Sequence, residues 1–572
     1  MRKSVFLLAM ASLAAFADEK QFLWPEGKMP DYQSHQIAAP KNIAGAEGFK
    51  ADENRFPYLV WHDAPATNPT GACAILISGG SYNSWCDVKL VDSWRERFTA
   101  LGVRCVSLVY RTPRPKGLPI YMSAWEDGQR AVKIVRSRAR ELGYSPENIG
   151  AIGMSAGGHL TVMLAGNSLT GAYAPIDAID RFPCHINWAV ANAAAYTTSD
   201  GEAGTMATRG GDGADVKVSK VLALDAKTPP MCLTHGGNDP YTPIGSTLIY
   251  RELRKRKIPA EVHLYADKGH GAFGLERVVE FLRQIGKIGV LGKEEHVAVY
   301  SGAHTARRIK FDLWPEGRMP YPQTNQTARP YVELFLPKIR STAAVQVVFP
   351  GGGYKHCSVV SEGEAVAELF NAKGMAAAVL VYRVPRPLGG LAKHVTAWAD
   401  AQRAIRIVRS KAGEFALDPD MIGAMGFSAG GHLTLMCATS SRSQAYLPVD
   451  KLDKVSVGLK WAFPIYPAYA LTDGSERPNT TGGNSDEARL VDDFAFDLST
   501  PPMCFVHGDA DVWAAMNSVK AWEKLRRMGI GCDLHTLATR GHCFQFKSSP
   551  ETGSRTWHER LWEFLEAKKF VK

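Results

Sequence analysis

Beyond its first twenty residues the chain has no run of about 18 apolar residues, so nothing there reads as a membrane-spanning helix. Cysteine is sparse, ten in 572 residues, which excludes a small scaffold held together by disulfides. Cys232 and Cys504 sit inside apolar strand-like stretches, as buried thiols do. Cys-x-x-Cys and His-Glu-x-x-His are both missing, so no metal site of those kinds is expected, and no cofactor. The net charge of +10 comes from basic residues scattered along amphipathic segments such as Arg251-Glu252-Leu253-Arg254-Lys255-Arg256-Lys257. That is the pattern of a solvated helix face, not of a nucleic-acid surface. At the start, Met1-Arg2-Lys3, an apolar core from Val5 to Ala15 and Ala15-Phe16-Ala17 give a secretory leader over residues 1–17. The expectation is a secreted or periplasmic protein beginning at Asp18.

What is present is a pattern written twice. Gly153-Met154-Ser155-Ala156-Gly157-Gly158-His159 returns 273 positions later as Gly426-Phe427-Ser428-Ala429-Gly430-Gly431-His432. Both fit Gly-x-Ser-x-Gly, which suits a sharp strand-to-helix turn that leaves the serine hydroxyl exposed at a sheet end. One such match is weak evidence. Two, each after a short apolar run (Ile149 to Ile152, Ile422 to Met425) and before a helix-like segment, are strong.

The rest of the chain repeats too. Leu23-Trp24-Pro25-Glu26-Gly27-Lys28-Met29-Pro30 recurs as Leu313-Trp314-Pro315-Glu316-Gly317-Arg318-Met319-Pro320, and Tyr110-Arg111-Thr112-Pro113-Arg114-Pro115 as Tyr382-Arg383-Val384-Pro385-Arg386-Pro387. A period this long is a whole domain, so the expectation is two tandem domains, 18–290 and 305–572, joined near 288–306 and touching. Within each, short β-branched runs alternate with longer helical ones, the pattern of a mostly parallel, doubly wound sheet flanked by helices. Strands are expected at 72–78, 103–110, 149–154, 186–190, 231–234 and 261–265, and helices at 123–142 and 396–415. Asp127 and Asp400, on those helices, precede the serines in chain order and read as surface or capping carboxylates.

A serine hydroxyl needs a histidine base and a carboxylate to orient that base. After Ser155 come Asp239, in His235-Gly236-Gly237-Asn238-Asp239, and His270, in Lys268-Gly269-His270-Gly271. After Ser428 come Asp511, in His507-Gly508-Asp509-Ala510-Asp511, and His542, in Arg540-Gly541-His542-Cys543. Asp509 aligns with Gly237 and Asp511 with Asp239, which selects Asp511. Each histidine lies 31 residues beyond its aspartate. His235 and His507 are assigned structural hydrogen bonds, and His159 and His432 packing at the start of the serine helix. Oxyanion donors are expected from the N–H of Ala156 and Ala429 and from the loops after the first core strands, at Gly80 and Ser81 and at Gly352 and Gly353. Ser81 stands where the second copy has glycine, so a positive φ there would strain the first loop.

With these motifs each copy resembles an α/β-hydrolase of the secreted carbohydrate-esterase type, similar to acetyl xylan and feruloyl esterases. The resemblance rests on Pro350-Gly351-Gly352-Gly353-Tyr354, the two Tyr-Arg-x-Pro-Arg-Pro stretches, Asp-x-Gln-Arg-Ala, and the serine motifs with His-Gly-x-x-Asp and Gly-His behind them. It implies an exported serine esterase removing acyl groups, acetyl first, from a plant cell-wall polysaccharide such as xylan. Its partner is an acylated polysaccharide or oligosaccharide. Alternatives are a feruloyl or dual esterase, or a first domain that only binds polysaccharide. Pro464 to Asp497 and Asn192 to Asp225 differ most between the copies and are expected to shape the pockets. Tyr82, Tyr196, Tyr354, Tyr466 and Tyr469 are expected at the substrate.

Overall fold

The computed structural model describes residues 19–31, 57–84 apart from 64, 66 and 69, 88–199, 216–289 apart from 272, 302–326, 329–472, 487–544 and 556–571. The expected leader, most of the joint between the copies, and parts of both pocket-shaping regions lie outside the described residues.

The first copy supplies strands β1 (Glu19–Phe22), β2 (Tyr58–Trp61), β3 (Cys73–Ile77), β4 (Arg104–Val109), β5 (Ile149–Met154), β6 (Trp188–Asn192), β7 (Met231–Gly236) and β8 (Ala260–Tyr265). The second supplies β9 (Thr305–Asp312), β10 (Tyr331–Pro337), β11 (Val345–Phe349), β12 (Ala376–Val381), β13 (Ile422–Phe427) and β14 (Trp461–Ile465). A small ribbon, β15 (Leu471–Thr472) and β16 (Arg489–Leu490), comes next, then β17 (Cys504–Gly508) and β18 (Asp533–Leu537). Helices α1 (Val88–Ala100), α2 (Met122–Ser137), α3 (Ala156–Gly166), α4 (Ile244–Lys255) and α5 (Leu275–Gln284) belong to the first copy. Helices α6 (Ala365–Ala372), α7 (Val395–Lys411), α8 (Ala429–Thr439), α9 (Met516–Arg527) and α10 (Trp557–Ala567) belong to the second.

The six expected strands of the first copy are β3 to β8, and they run parallel in the order β4-β3-β5-β6-β7-β8. Being covered on both faces, they are apolar almost throughout rather than alternating. Two antiparallel strands at each outer edge, β1 and β2 in one copy and β9 and β10 in the other, lie outside that reading. The expected helices appear as α2 and α7, with a 3₁₀ turn at Ala412–Phe415 ending the second.

The copies do more than touch. β8 pairs antiparallel with β18, with Leu264 opposite Leu534 and His263 opposite His535, so sixteen of the described strands make one sheet. His263 and His535 are 272 residues apart, the same offset as Asp239 and Asp511, so a local pseudo-twofold axis passes between them. One buried cluster crosses the seam from Leu253 and Leu264 to Leu525 and Leu534. Around it α4 faces α9: Thr247 donates to Glu523 (2.9 Å), and Asp509 accepts from Tyr250 (3.1 Å) and pairs with Arg254 (2.6 Å). On the other face α5 and α10 exchange partners, Arg277 to Glu563 (2.7 Å) and Arg560 to Glu280 (2.6 Å). Because the strands run antiparallel at the seam, the C-terminal strand ends of the two copies line opposite edges of the shared sheet.

Asp127 and Asp400 correct the sequence reading. They are fully buried, not at the surface, because each gathers three of the repeated motifs around one carboxylate. Asp127 accepts from the Trp24 indole (2.7 Å), the Arg111 backbone (2.8 Å) and the Arg111 guanidinium (3.0 Å). Asp400 does the same with Trp314 and Arg383. Arg111 and Arg383 also donate to the carbonyls of Pro30 and Pro320, clamping the N-terminal segment of each copy onto its sheet.

Candidate active sites

Each serine caps the helix that follows its strand, in a backbone conformation rare for a side-chain-bearing residue: φ 56°, ψ −120° at Ser155 and φ 53°, ψ −114° at Ser428. The flanking glycines permit the turn. A Cβ on Gly153 would lie 2.1 Å from the Gly157 carbonyl oxygen, and one on Gly157 would lie 2.3 Å from that of Ile77. The second copy repeats both clashes at Gly426 and Gly430, at 2.1 and 2.0 Å.

The turn brings Ser155 Oγ 2.9 Å from His270 Nε2, and His270 Nδ1 lies 2.8 Å from Asp239 Oδ2. In the second copy the corresponding distances, from Ser428 to His542 to Asp511, are both 2.7 Å. Serine follows β5 or β13, aspartate β7 or β17, and histidine β8 or β18, all at C-terminal strand ends. The Tyr241 and Trp513 N–H groups hold the second oxygens of Asp239 and Asp511, each at 2.8 Å. His235 takes a bond from Ser246 (2.9 Å), donates to the Tyr241 carbonyl (2.8 Å), and lies 3.1 Å from Asp239; His507 stands likewise. Burial works against the Asp239 charge, but the bonds from His235 and His270 outweigh it and hold the carboxyl at about 2. Asp511 is held down in the same way. Asp509 takes no part in this chain; it belongs to the seam.

The expected oxyanion loops lie against the serines. A Cβ on Gly79 would lie 2.8 Å from Ser155 Cβ, and one on Gly351 3.2 Å from Ser428 Cβ. Ala156 and Ala429 begin α3 and α8, where backbone N–H groups have no acceptor inside the helix. Gly80 and Gly352 have φ near 120°, Gly353 has φ 64°, and Ser81 adopts φ 55° in its place. A serine carries the left-handed conformation at a cost of about 1 kcal/mol or more that Gly353 does not bear.

The five tyrosines separate into two groups. Tyr469 lines a cavity of about 840 Å³ together with Gly352, Gly353, Ser428, Trp513 and His542. Tyr82 and Tyr354 lie beneath their sites, 1% exposed, with hydroxyls on His159 and His432 Nδ1 at 2.7 and 2.8 Å. Tyr196 is 3% exposed, stacked on Tyr82 and bonded to Arg114. Tyr466 is fully buried, its hydroxyl on Glu362 (2.8 Å) and its ring edge-on to His542 (4.9 Å). For Tyr82, Tyr196, Tyr354 and Tyr466 the expected substrate contact gives way to packing within the protein, because all four are buried whereas Tyr469 reaches the cavity.

The Glu362–Tyr466 pair escaped sequence reading. Glu362 also accepts the Gly351 N–H (2.7 Å), tying the glycine loop after β11 to the packing around His542. Burial pushes its carboxyl above the usual range. The first copy has Leu90 and Ala193 at the aligned positions, so this support exists only in the second. The internal alignment holds the signal: two residues 104 apart that differ together between the copies.

A family model described as BD-FAE matches residues 63–253 and 332–492, more than half of the chain. The acetylxylan esterase of Xylanibacter ruminicola is 27% identical over 264 residues, 44% of this chain and 48% of that protein. Esterase LipC of Mycobacterium tuberculosis is 31% identical over 235 residues, 37% of this chain and 55% of that protein. The chain thus spans about half the length of these curated relatives. Among solved structures, an acetyl ester-xyloside bifunctional hydrolase from Caldicellulosiruptor lactoaceticus is 25% identical with a TM-score of 0.39, covering 46% of this chain and 97% of that one.

Proposed function

The chain belongs to the BD-FAE family, an α/β-hydrolase esterase family, and from that premise we propose that it is an exported tandem serine esterase removing acetyl groups from a cell-wall polysaccharide such as xylan. Each half, 18–290 and 305–572, carries one site. The observation that carries this reading is the hydrogen-bonded chain of serine, imidazole and carboxylate present in both halves. The similarity to an acetylxylan esterase supports the choice of acyl group and polymer.

In this reading Ser155 or Ser428 Oγ attacks the ester carbonyl while His270 or His542 Nε2 takes its proton. Asp239 or Asp511 keeps the imidazole oriented and stabilises its charged form. The developing oxyanion is held by the N–H groups of Ala156 and of Gly80 and Ser81, or of Ala429 and of Gly352 and Gly353. Each such donor is worth about 10² to 10³ in rate. The sugar hydroxyl leaves with the proton from histidine. Water, deprotonated by the same imidazole, then releases acetate and restores the serine.

A second reading, feruloyl ester hydrolysis by the second site, is favoured by its cavity of about 840 Å³, more room than an acetyl group needs, with Leu471, Val491 and Trp513 in its lining. A first half that only binds polysaccharide is disfavoured by its intact Ser155, His270 and Asp239. The test is release of acetate and ferulate from acetylated and feruloylated xylan by the parent, Ser155→Ala, Ser428→Ala and the double variant. Acetate release surviving in each single variant and lost in the double supports two esterase sites. Release of neither acid by the parent overturns the xylan assignment.

A further inference from the structure

We propose that the second site is specific for acyl esters on a glycan carrying an anionic group, carboxylate or sulfate, beside the ester, while the first site takes neutral glycans. The inference rests on the esterase reading above and names a substrate class for one of its two sites.

Lys355, His356, Arg386 and Lys393 line the same cavity as Ser428 and His542. Arg386 is fixed in place, donating to the Gly353 carbonyl (3.0 Å) and the Tyr469 hydroxyl (2.9 Å). The Lys393 ammonium lies 4.3 Å from the centre of the Tyr469 ring. Among the described residues no carboxylate lies within ion-pair distance of Lys355 or Lys393. Asp493 acts on Lys393 only through space and faces His394 Nδ1 at 3.9 Å. Glu362 is the acid in the lining, but it is 2% exposed and occupied by the Gly351 N–H and the Tyr466 hydroxyl. Arg386 and Lys393 both lie against the Tyr469 ring, and two cations this close in a half-buried cleft repel. The Lys393 amine is held below its usual range by burial first and by Arg386 second. An anion between them relieves both costs and gains charge-assisted hydrogen bonds.

The first half is the internal control. Arg114 matches Arg386 and makes the same bonds, to the Ser81 carbonyl (2.9 Å) and the Tyr196 hydroxyl (3.0 Å). Lys355, His356 and Lys393, however, become Asn83, Ser84 and Ile120, and Ile120 packs against the core. Lys116 stands where the second half has Leu388, which is exposed and outside the cavity lining. The first half thus keeps the arginine that holds the loop and lacks the three basic side chains that join it in the second cavity.

The test uses full-length Ser155→Ala, in which only the second site works, and Ser428→Ala, in which only the first does. Substrates are acetylated xylo-oligosaccharides that are unbranched, bear a glucuronosyl branch, or bear a sulfate ester. 4-Nitrophenyl acetate serves as a small neutral ester. At low ionic strength Ser155→Ala should prefer at least one anionic substrate over the neutral one about tenfold in kcat/KM, mainly through KM, and added NaCl should shrink that ratio. The carboxylate and sulfate arms identify which anion is read. Ser428→Ala should show no preference for either. Lys393→Met in the Ser155→Ala background should bring the ratio near one. Lys355→Ala at the exposed rim should lower it partly, a check that does not depend on the folding of the Lys393 variant. A ratio near one for both anions in Ser155→Ala that still cleaves 4-nitrophenyl acetate overturns the proposal and leaves the esterase reading standing. No cleavage of any ester by Ser155→Ala overturns both.

Discussion

His263 and His535 face each other across the seam with their Nδ1 atoms 3.1 Å apart, so one ring must donate its proton and the other accept it. The accepting ring is therefore neutral when folded, and burial disfavours a charge on the donating one. Burial, with Arg560 nearby, pushes His263 well below its usual range, and burial takes His535 down to about 3. In the unfolded chain an imidazole gains its proton near pH 6.5. Below that pH the unfolded state binds more protons than the folded one, so stability falls as pH drops from about 6.5 towards 3, at about 1.4 kcal/mol per pH unit for each imidazole. His535→Gln should make urea-unfolding free energies between pH 6 and 4 visibly less steep. An unchanged slope contradicts the assignment.

Glu261, 2.8 Å from His263 Nε2, works in the opposite sense. Burial pushes its carboxyl up to about 8. The folded chain keeps a proton that the unfolded chain loses, so stability falls as pH rises from about 4.5 to 8. Glu261→Gln should remove that alkaline loss, read as a flatter profile of unfolding free energy between pH 6 and 8.

Arg560 is fully buried and donates to Glu280, as Arg277 does to Glu563. Arg560→Met takes from the largely buried Glu280 one of its two guanidinium partners, leaving Arg277 at 2.7 Å. The expected loss is about 2 kcal/mol, the typical worth of a hydrogen bond to a charged group. Urea unfolding measures it; a loss under about 1 kcal/mol would show the pair is not coupled to the fold.

Gly352 has φ 125°, and a Cβ there would lie 2.0 Å from the His356 carbonyl oxygen. Gly352→Ala in the Ser155→Ala background should therefore displace the loop and lower acetate release by about 10² or more, the worth of one oxyanion donor. The same change beside Ser428→Ala should leave the first site's release untouched. Equal loss in both backgrounds would mean the substitution disturbs the whole fold.

Tyr466→Phe removes the hydroxyl that Glu362 accepts while keeping the ring against His542. If the pair positions the histidine and the loop, kcat at the second site should fall severalfold with KM little changed. A change confined to KM would assign the tyrosine to substrate binding instead.

The sequence made the two serine–histidine–aspartate sets legible because each residue sits in a short motif that is written twice, and internal alignment settled Asp511 over Asp509. The parallel strands β3 to β8 were legible for a local reason too, as apolar runs between helical stretches. The seam was not, because an edge strand such as Ala260–Tyr265 reads alike whether water or another strand lies beside it. Asp127 was misread as a surface carboxylate since its partner Trp24 is 103 residues away, and only the fold brings the two together. The cation-lined cavity also needed three dimensions, joining Lys355, from the loop after β11, to Arg386 and Lys393, from the loop between β12 and α7.

The most direct test of two working nucleophiles is intact-mass spectrometry after reaction with an alkyl fluorophosphonate, which modifies only a serine activated by its histidine. Two adducts are expected on the parent chain, one on Ser155→Ala, one on Ser428→Ala and none on the double variant. A single adduct on the parent, abolished by Ser428→Ala alone, would contradict this and leave the first half without a working serine.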